Sequence, residues 1–120
     1  VDDLTFFLSE WYEKVDETVK YMLNKHSLTI VESYGNVAFP SPSVLNVDLV
    51  AVVAPGKAAI YLGDKYKKAC ELTVNKVNIT TERVTNLLRP IDIINLEPMR
   101  KGDTYKGIIR KLIKDNVLSL

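Results

Sequence analysis

The chain has 120 residues, 47% of them hydrophobic and 26% charged, the balance of a globular domain long enough to bury a core. Its 16 basic residues nearly cancel its 15 acidic ones, so no strong field marks a polyanion-coating protein; a nucleic-acid partner stays possible, but charge does not indicate one. A single cysteine, Cys70, excludes an internal disulfide and a cysteine-based zinc cluster, and reads as a small core residue.

No apolar run reaches the roughly 18 residues of a membrane span. The first residues also lack the basic, apolar, then small-residue order of a signal peptide, while a start at Val1 leaves room for processing or trimming. The expectation is one domain over 1–120, cytoplasmic and without a membrane contact.

In chain order, residues 4–23 carry the clearest periodicity. Leu4, Leu8, Trp11, Val15, Val19, Met22 and Leu23 recur at three- and four-residue steps, which predicts an amphipathic helix with Trp11 and Tyr12 as packing residues. Asp2 or Asp3 suits its start, and Lys25 and His26 its negative end. Leu28 to Ser33 reads as a strand entering Gly35. The prolines of "FPSPS" make that stretch a loop. Val44 to Val53 reads as a long strand buried on both faces, with layers covering both sides.

Lys57 to Glu71 reads as a helix, weakened by Gly63. "LTVNKVNI", 72–79, is ambiguous. Thr80 or Thr81 suits the cap of a short helix carrying Val84, Leu87 and Leu88. "PIDIINL", 90–96, reads as a strand opened by a proline. Tyr105 to Lys114 carries a helical apolar stripe, and Val117 to Leu120 a last short strand. This order predicts a mixed α/β (α+β) fold with helices packed against a mixed sheet.

Asn46 and Asp48 stand at the head of the run that should be buried, where an unpaired carboxylate is costly. On a strand they would share a face. Asp92, flanked by Ile91 and Ile93, is a second isolated acid on a second apolar strand. Two carboxylates and an amide oxygen on neighbouring strands would suit Mg²⁺, which takes few protein oxygens and shares its shell with water and phosphate. Gly35 allows a positive-φ turn and Asn36 follows it, a bend whose N–H groups could cradle phosphate. Blander roles stand beside these: Asp48 as a turn cap, Asp92 paired with a lysine, and Gly35 as an ordinary turn residue. Lys57, Lys65, Lys67 and Lys68 could touch a triphosphate but read first as a solvated helix face, and Tyr34, Tyr61 and Tyr66 could stack a base but read first as packing residues. His26, the one histidine, receives no chemistry, and no P-loop or Rossmann glycine pattern occurs.

Tyr34-Gly35-Asn36, nine intervening residues, Asn46-Val47-Asp48-Leu49, and Asp92 within "IDIINL" form an ordered set. The layout resembles the small single-domain nucleotidyltransferases of the polymerase-β-like superfamily. Their motif is a strand ending in Gly-Ser, a loop, an acid–apolar–acid strand head and a third acid on a later strand. The resemblance spans about residues 4–120, including the closing "IIRKLIKDNVLSL". It departs at Asn36, where the family has serine, and at Asn46, where the family has the first acid.

The resemblance implies Mg²⁺ held by Asp48, Asp92 and a weakened Asn46, with Gly35 and Asn36 at the nucleotide phosphates. The implied reaction moves a nucleoside monophosphate from a nucleoside triphosphate to a hydroxyl acceptor. Losing one bridging acid of three impairs a two-metal mechanism. The family also implies an alternative: a non-catalytic domain working as an antitoxin-type partner of a helical, toxin-like protein. A third reading is an α/β domain whose acids are incidental.

Overall fold

The computed structural model describes residues 3–33, 35–73 and 79–95, together with Arg110 and Lys114; for residues 3–9 it describes the backbone alone. The described residues form the mixed α/β fold expected, with three α-helices and a three-stranded antiparallel sheet. Among them, no helix is long and apolar enough to cross a membrane.

Helix α1, Asp3–Lys25, follows the periodic segment. Val19 is buried and Val15 and Leu23 are half-buried on one side. Trp11 and Tyr12, expected to pack, instead stand 57% and 54% exposed. The helix ends where Lys25 complements the terminal carbonyls and the His26 amide donates to the Met22 carbonyl at 3.1 Å.

Residues 28–33 form no strand, contrary to expectation. Their burial still alternates: Leu28, Ile30 and Glu32 are exposed, while Thr29, Val31 and Ser33 are half-buried. The alternating pattern is thus spent on the protein surface, and an alternating pattern does not by itself supply the neighbouring strand that a ladder needs.

The expected strand over 44–53 is also corrected. Pro42–Asn46 is a short 3-10 helix, entered from the extended Ser41 and begun by Pro42, whose missing N–H is harmless at that position. Asn46 therefore closes a helical turn and Asp48 lies in a bend, so neither belongs to a strand. Strand β1 is Leu49–Ala54, at one edge of the sheet order β1-β2-β3, where β2 is Lys57–Leu62 and β3 is Asp92–Asn95.

β2 replaces the first half of the predicted helix. It pairs with β1 from Leu49↔Leu62 to Ala54↔Lys57 around the Pro55-Gly56 turn, where Gly56 takes φ 79°. Pro then Gly at the centre of a tight turn is a hairpin signal. β3 pairs with the other side of β2, from Lys57↔Asn95 to Ile60↔Asp92.

This register sorts the side chains into two faces. Val50, Val52, Ala59 and Tyr61 turn towards Ala38, Tyr66, Ala69, Cys70 and Val84, forming the larger core. Ala58, Ile60 and Ile94, with Leu49 against them, form a second buried cluster on the opposite face. The larger core receives helix α2, Gly63–Leu72, through Tyr66, Ala69 and Cys70, and helix α3, Thr81–Thr85, through Val84.

Cys70 is fully buried, as expected of a core residue. Tyr61 and Tyr66 pack as expected, with ring centroids 6.4 Å apart. Thr80 caps α3, its hydroxyl accepting from the Arg83 amide at 3.4 Å. Residues 74–78 of the ambiguous segment lie outside the described residues. So do the strand over 117–120 and, apart from Arg110 and Lys114, the helix over 105–114.

Candidate functional site

At one end of the hairpin, the last turn of the 3-10 helix, the approach to β1, the end of β2 and the start of α2 enclose a cleft of about 290 Å³. Its polar lining is Asn46, Asp48, Asp64 and Lys67; Leu45, Val47, Leu62 and Gly63 complete it. The junction is made by backbone. The Gly63 amide donates to the Asp48 carbonyl at 2.8 Å, and a Cβ at Gly63 would lie 1.7 Å from the Val47 carbonyl oxygen. Only glycine fits against that carbonyl.

Asn46, Asp48 and Asp64 are exposed, while Lys67 is half-buried, one turn into α2 beyond Asp64. The Lys67 ammonium donates to the Asn46 amide oxygen at 3.1 Å. The cleft thus gathers two carboxylates, one ammonium and one amide. Exposed carboxylates suit a hard, partly hydrated cation, and an ammonium suits an anionic oxygen. Asn46 is a poor member of a metal shell here, because its oxygen already faces a positive charge.

The structure brings Asn46 and Asp48 together but leaves the other expected residues elsewhere. Asp92 begins β3 opposite Ile60, whose partner on the far side is Ala51. Two strand spacings across and three residues along separate it from Asp48, on the order of 14 Å between Cα atoms. A divalent ion with bonds of about 2 Å cannot join the two. Among the described residues, no three His, Cys, Asp or Glu side chains group to hold a metal ion.

Gly35 takes the positive φ expected of it, 70°, with none of the described residues within 4 Å of where a Cβ would stand. Neither it nor Asn36 lines the cleft. The Asn36 amide oxygen accepts from the Thr81 amide at 3.2 Å, and the Ala38 amide donates to the Ile79 carbonyl at 3.1 Å. Asn36 therefore stitches its loop to the start of α3. Asp64 is the polar lining residue that sequence reasoning missed, and Lys67 leaves the solvated helix face expected of it to line the cleft. The signal was the Gly-Asp pair at 63–64, legible as a helix start only once Lys57–Leu62 is recognised as a strand.

A second polar group lies behind the cleft, where α1 meets the 3-10 helix. Asp16 of α1 accepts from the Ser43 amide at 2.7 Å and pairs with Lys20 at 3.1 Å. The Ser43 hydroxyl and amide both favour the anion and hold the Asp16 carboxyl below the usual carboxylate range; of the two, the amide makes the hydrogen bond. Ser41 and Ser43 are buried, and their hydroxyls find no hydrogen-bond partner among the described residues.

Comparison with protein-family models, with curated proteins and with solved structures finds no match to this chain.

Proposed function

We propose that the chain is a nucleotidyltransferase-like domain that binds a nucleoside triphosphate with magnesium in this cleft, without carrying nucleotidyl transfer through. The observation that carries the reading is the convergence of Asp48, Asp64, Asn46 and Lys67 on one concavity. It lies at the head of the strand whose sequence resembles the family motif. Asp48 and Asp64 would hold the ion, which would neutralise phosphate charge, and Lys67 would meet a phosphate oxygen.

Two features support binding over transfer. Asp92, the third acid of the motif, sits across β2 from the cleft, and the Asn46 oxygen is occupied by Lys67. A two-metal transfer needs bridging carboxylates that this arrangement lacks. Such a role suits a cytoplasmic protein, since nucleoside triphosphates are found there.

The test is thermal unfolding and calorimetry with ATP and MgCl₂ on the natural chain, Asp48→Ala and Lys67→Ala. A ligand at about 100 times its Kd stabilises the folded state by about 2.7 kcal/mol. A rise in Tm that both variants diminish is expected. No rise at millimolar nucleotide, or an equal rise in all three proteins, removes the reading. Labelled-nucleotide transfer to an acceptor in cell extract should be absent; transfer abolished by Asp48→Ala would restore the enzyme.

One observation favours the partner-protein alternative. Trp11 and Met22, 57% and 39% exposed, are eleven residues apart on α1 and so lie on the same side of it. We propose this stripe as the contact for a helical partner of antitoxin type. A stoichiometric companion that Trp11→Glu releases without lowering Tm is the expected result, and a companion indifferent to Trp11 counts against it.

A further inference from the structure

The cleft's polar wall hangs from the 3-10 helix. Asn46 is that helix's last residue, and Asp48 follows two positions on. Five residues make a short, weakly self-supporting element, since the geometry of such turns is poor and their first N–H groups lack internal acceptors. Ser41, at the capping position, makes no side-chain bond to the helix. The missing acceptor comes from elsewhere: Asp16, 27 residues earlier on α1, takes the Ser43 amide at 2.7 Å. Lys20, one turn further along α1, holds the same carboxylate through its other oxygen at 3.1 Å.

We propose that Asp16 is a positioning residue for the cleft, capping the 3-10 helix from outside and so fixing where Asn46 and Asp48 stand. As far as it concerns a ligand, this inference rests on the nucleotide reading above; the structural coupling from α1 to the cleft does not. Two neighbouring features favour it. Ser41 and Ser43 are buried beside the carboxylate, at 2% and 4% exposure, so water is a poor substitute for it. Gly63 fastens the far end of the segment through the Asp48 carbonyl. The stretch from Ser43 to Asp48 is thereby held at both ends, by α1 behind and by α2 in front.

The experiment compares the natural chain, Asp16→Ala and Asp16→Asn by amide NMR and by titration with ATP and MgCl₂. Thr18→Ala serves as a control, since among the described residues the Thr18 hydroxyl bonds only the Lys14 carbonyl of its own helix. Asp16→Ala should move the Ser43 amide resonance and also those of Asn46, Asp48 and Gly63. Nucleotide affinity should fall about tenfold or more. Asp16→Asn retains an acceptor oxygen and should give smaller shifts and a partial recovery of affinity. Thr18→Ala should leave all of these unchanged.

Shifts confined to residues 41–43 in a folded variant overturn the proposal. Should Asp16→Ala not fold, Asp16→Asn decides by the same resonances, and unchanged Asn46 and Asp48 amides overturn the proposal there too. If the natural chain binds no nucleotide, the nucleotide reading falls, while the resonances still decide whether Asp16 positions the cleft.

Discussion

Gly63→Ala is the sharpest perturbation available, because its consequence follows from geometry alone. A Cβ placed there would lie 1.7 Å from the Val47 carbonyl oxygen and 2.7 Å from its carbon. To reach even a tight 3.0 Å separation, main chain must retreat by 3.0 − 1.7 = 1.3 Å. Such overpacking costs about 1–3 kcal/mol. The retreat also stretches the bond from the Gly63 amide to the Asp48 carbonyl, worth about 1 kcal/mol. Alanine's better helix propensity returns at most about 1 kcal/mol. The net loss is then about 1–3 kcal/mol, or a fall in Tm of roughly 4–12 °C for a chain of this size. Thermal unfolding followed by far-ultraviolet circular dichroism measures it. Gly35→Ala is the companion: none of the described residues lies within 4 Å of that site, so the positive φ is what penalises it, by about 1–2 kcal/mol. An unchanged or raised Tm for Gly63→Ala, the usual outcome where space is open, refutes the close approach and with it the backbone wall of the cleft.

Tyr66→Phe removes the buried hydrogen bond to the Ala38 carbonyl, 2.7 Å long, and should cost about 1–3 kcal/mol in urea unfolding by leaving that acceptor unpaired. Ile60→Ala, at a fully buried position of the central strand, should cost about 2–5 kcal/mol in the same assay. Burial pushes the Cys70 thiol up to about 11 from 9.0 and the Tyr66 phenol up to about 12 from 10.0. Both groups hold their protons more tightly when folded, so the stability they contribute is complete below pH 9 and is lost as pH rises from about 9 to 12. A Tm that stays level from pH 7 to 9 and then falls is the expected profile. Cys70 should also resist a thiol reagent at pH 8 until denaturant is added, and rapid labelling of the native chain would contradict its burial.

The sequence made α1 legible because its period is long and unbroken, and it made the α3 cap legible because a threonine before a short apolar helix has one good use. The sheet was harder. Leu-Val-Ala-Val-Val-Ala is apolar at every position whether a strand is buried on two faces or lies at an edge, and periodicity cannot separate the two. Lys57–Leu62 was absorbed into the helix that follows it, which hid the hairpin and with it the start of α2. The site was legible in half for the same reason. Asn46 and Asp48 are two positions apart, close enough along the chain to meet in one cleft. Asp64 and Lys67 reach that cleft only because the hairpin folds back. Asp92 is carried across β2 by a pairing that no local pattern encodes. Asn36 found a different use for its amide, at the Thr81 N–H.

The contact of Gly63 with the Val47 carbonyl has a consequence for how this protein can change. A concavity whose rim is drawn by main chain keeps its outline whichever groups project into it. Asn46, Asp48, Asp64 and Lys67 can therefore be exchanged, in nature or by design, to retune polarity while the scaffold stays put.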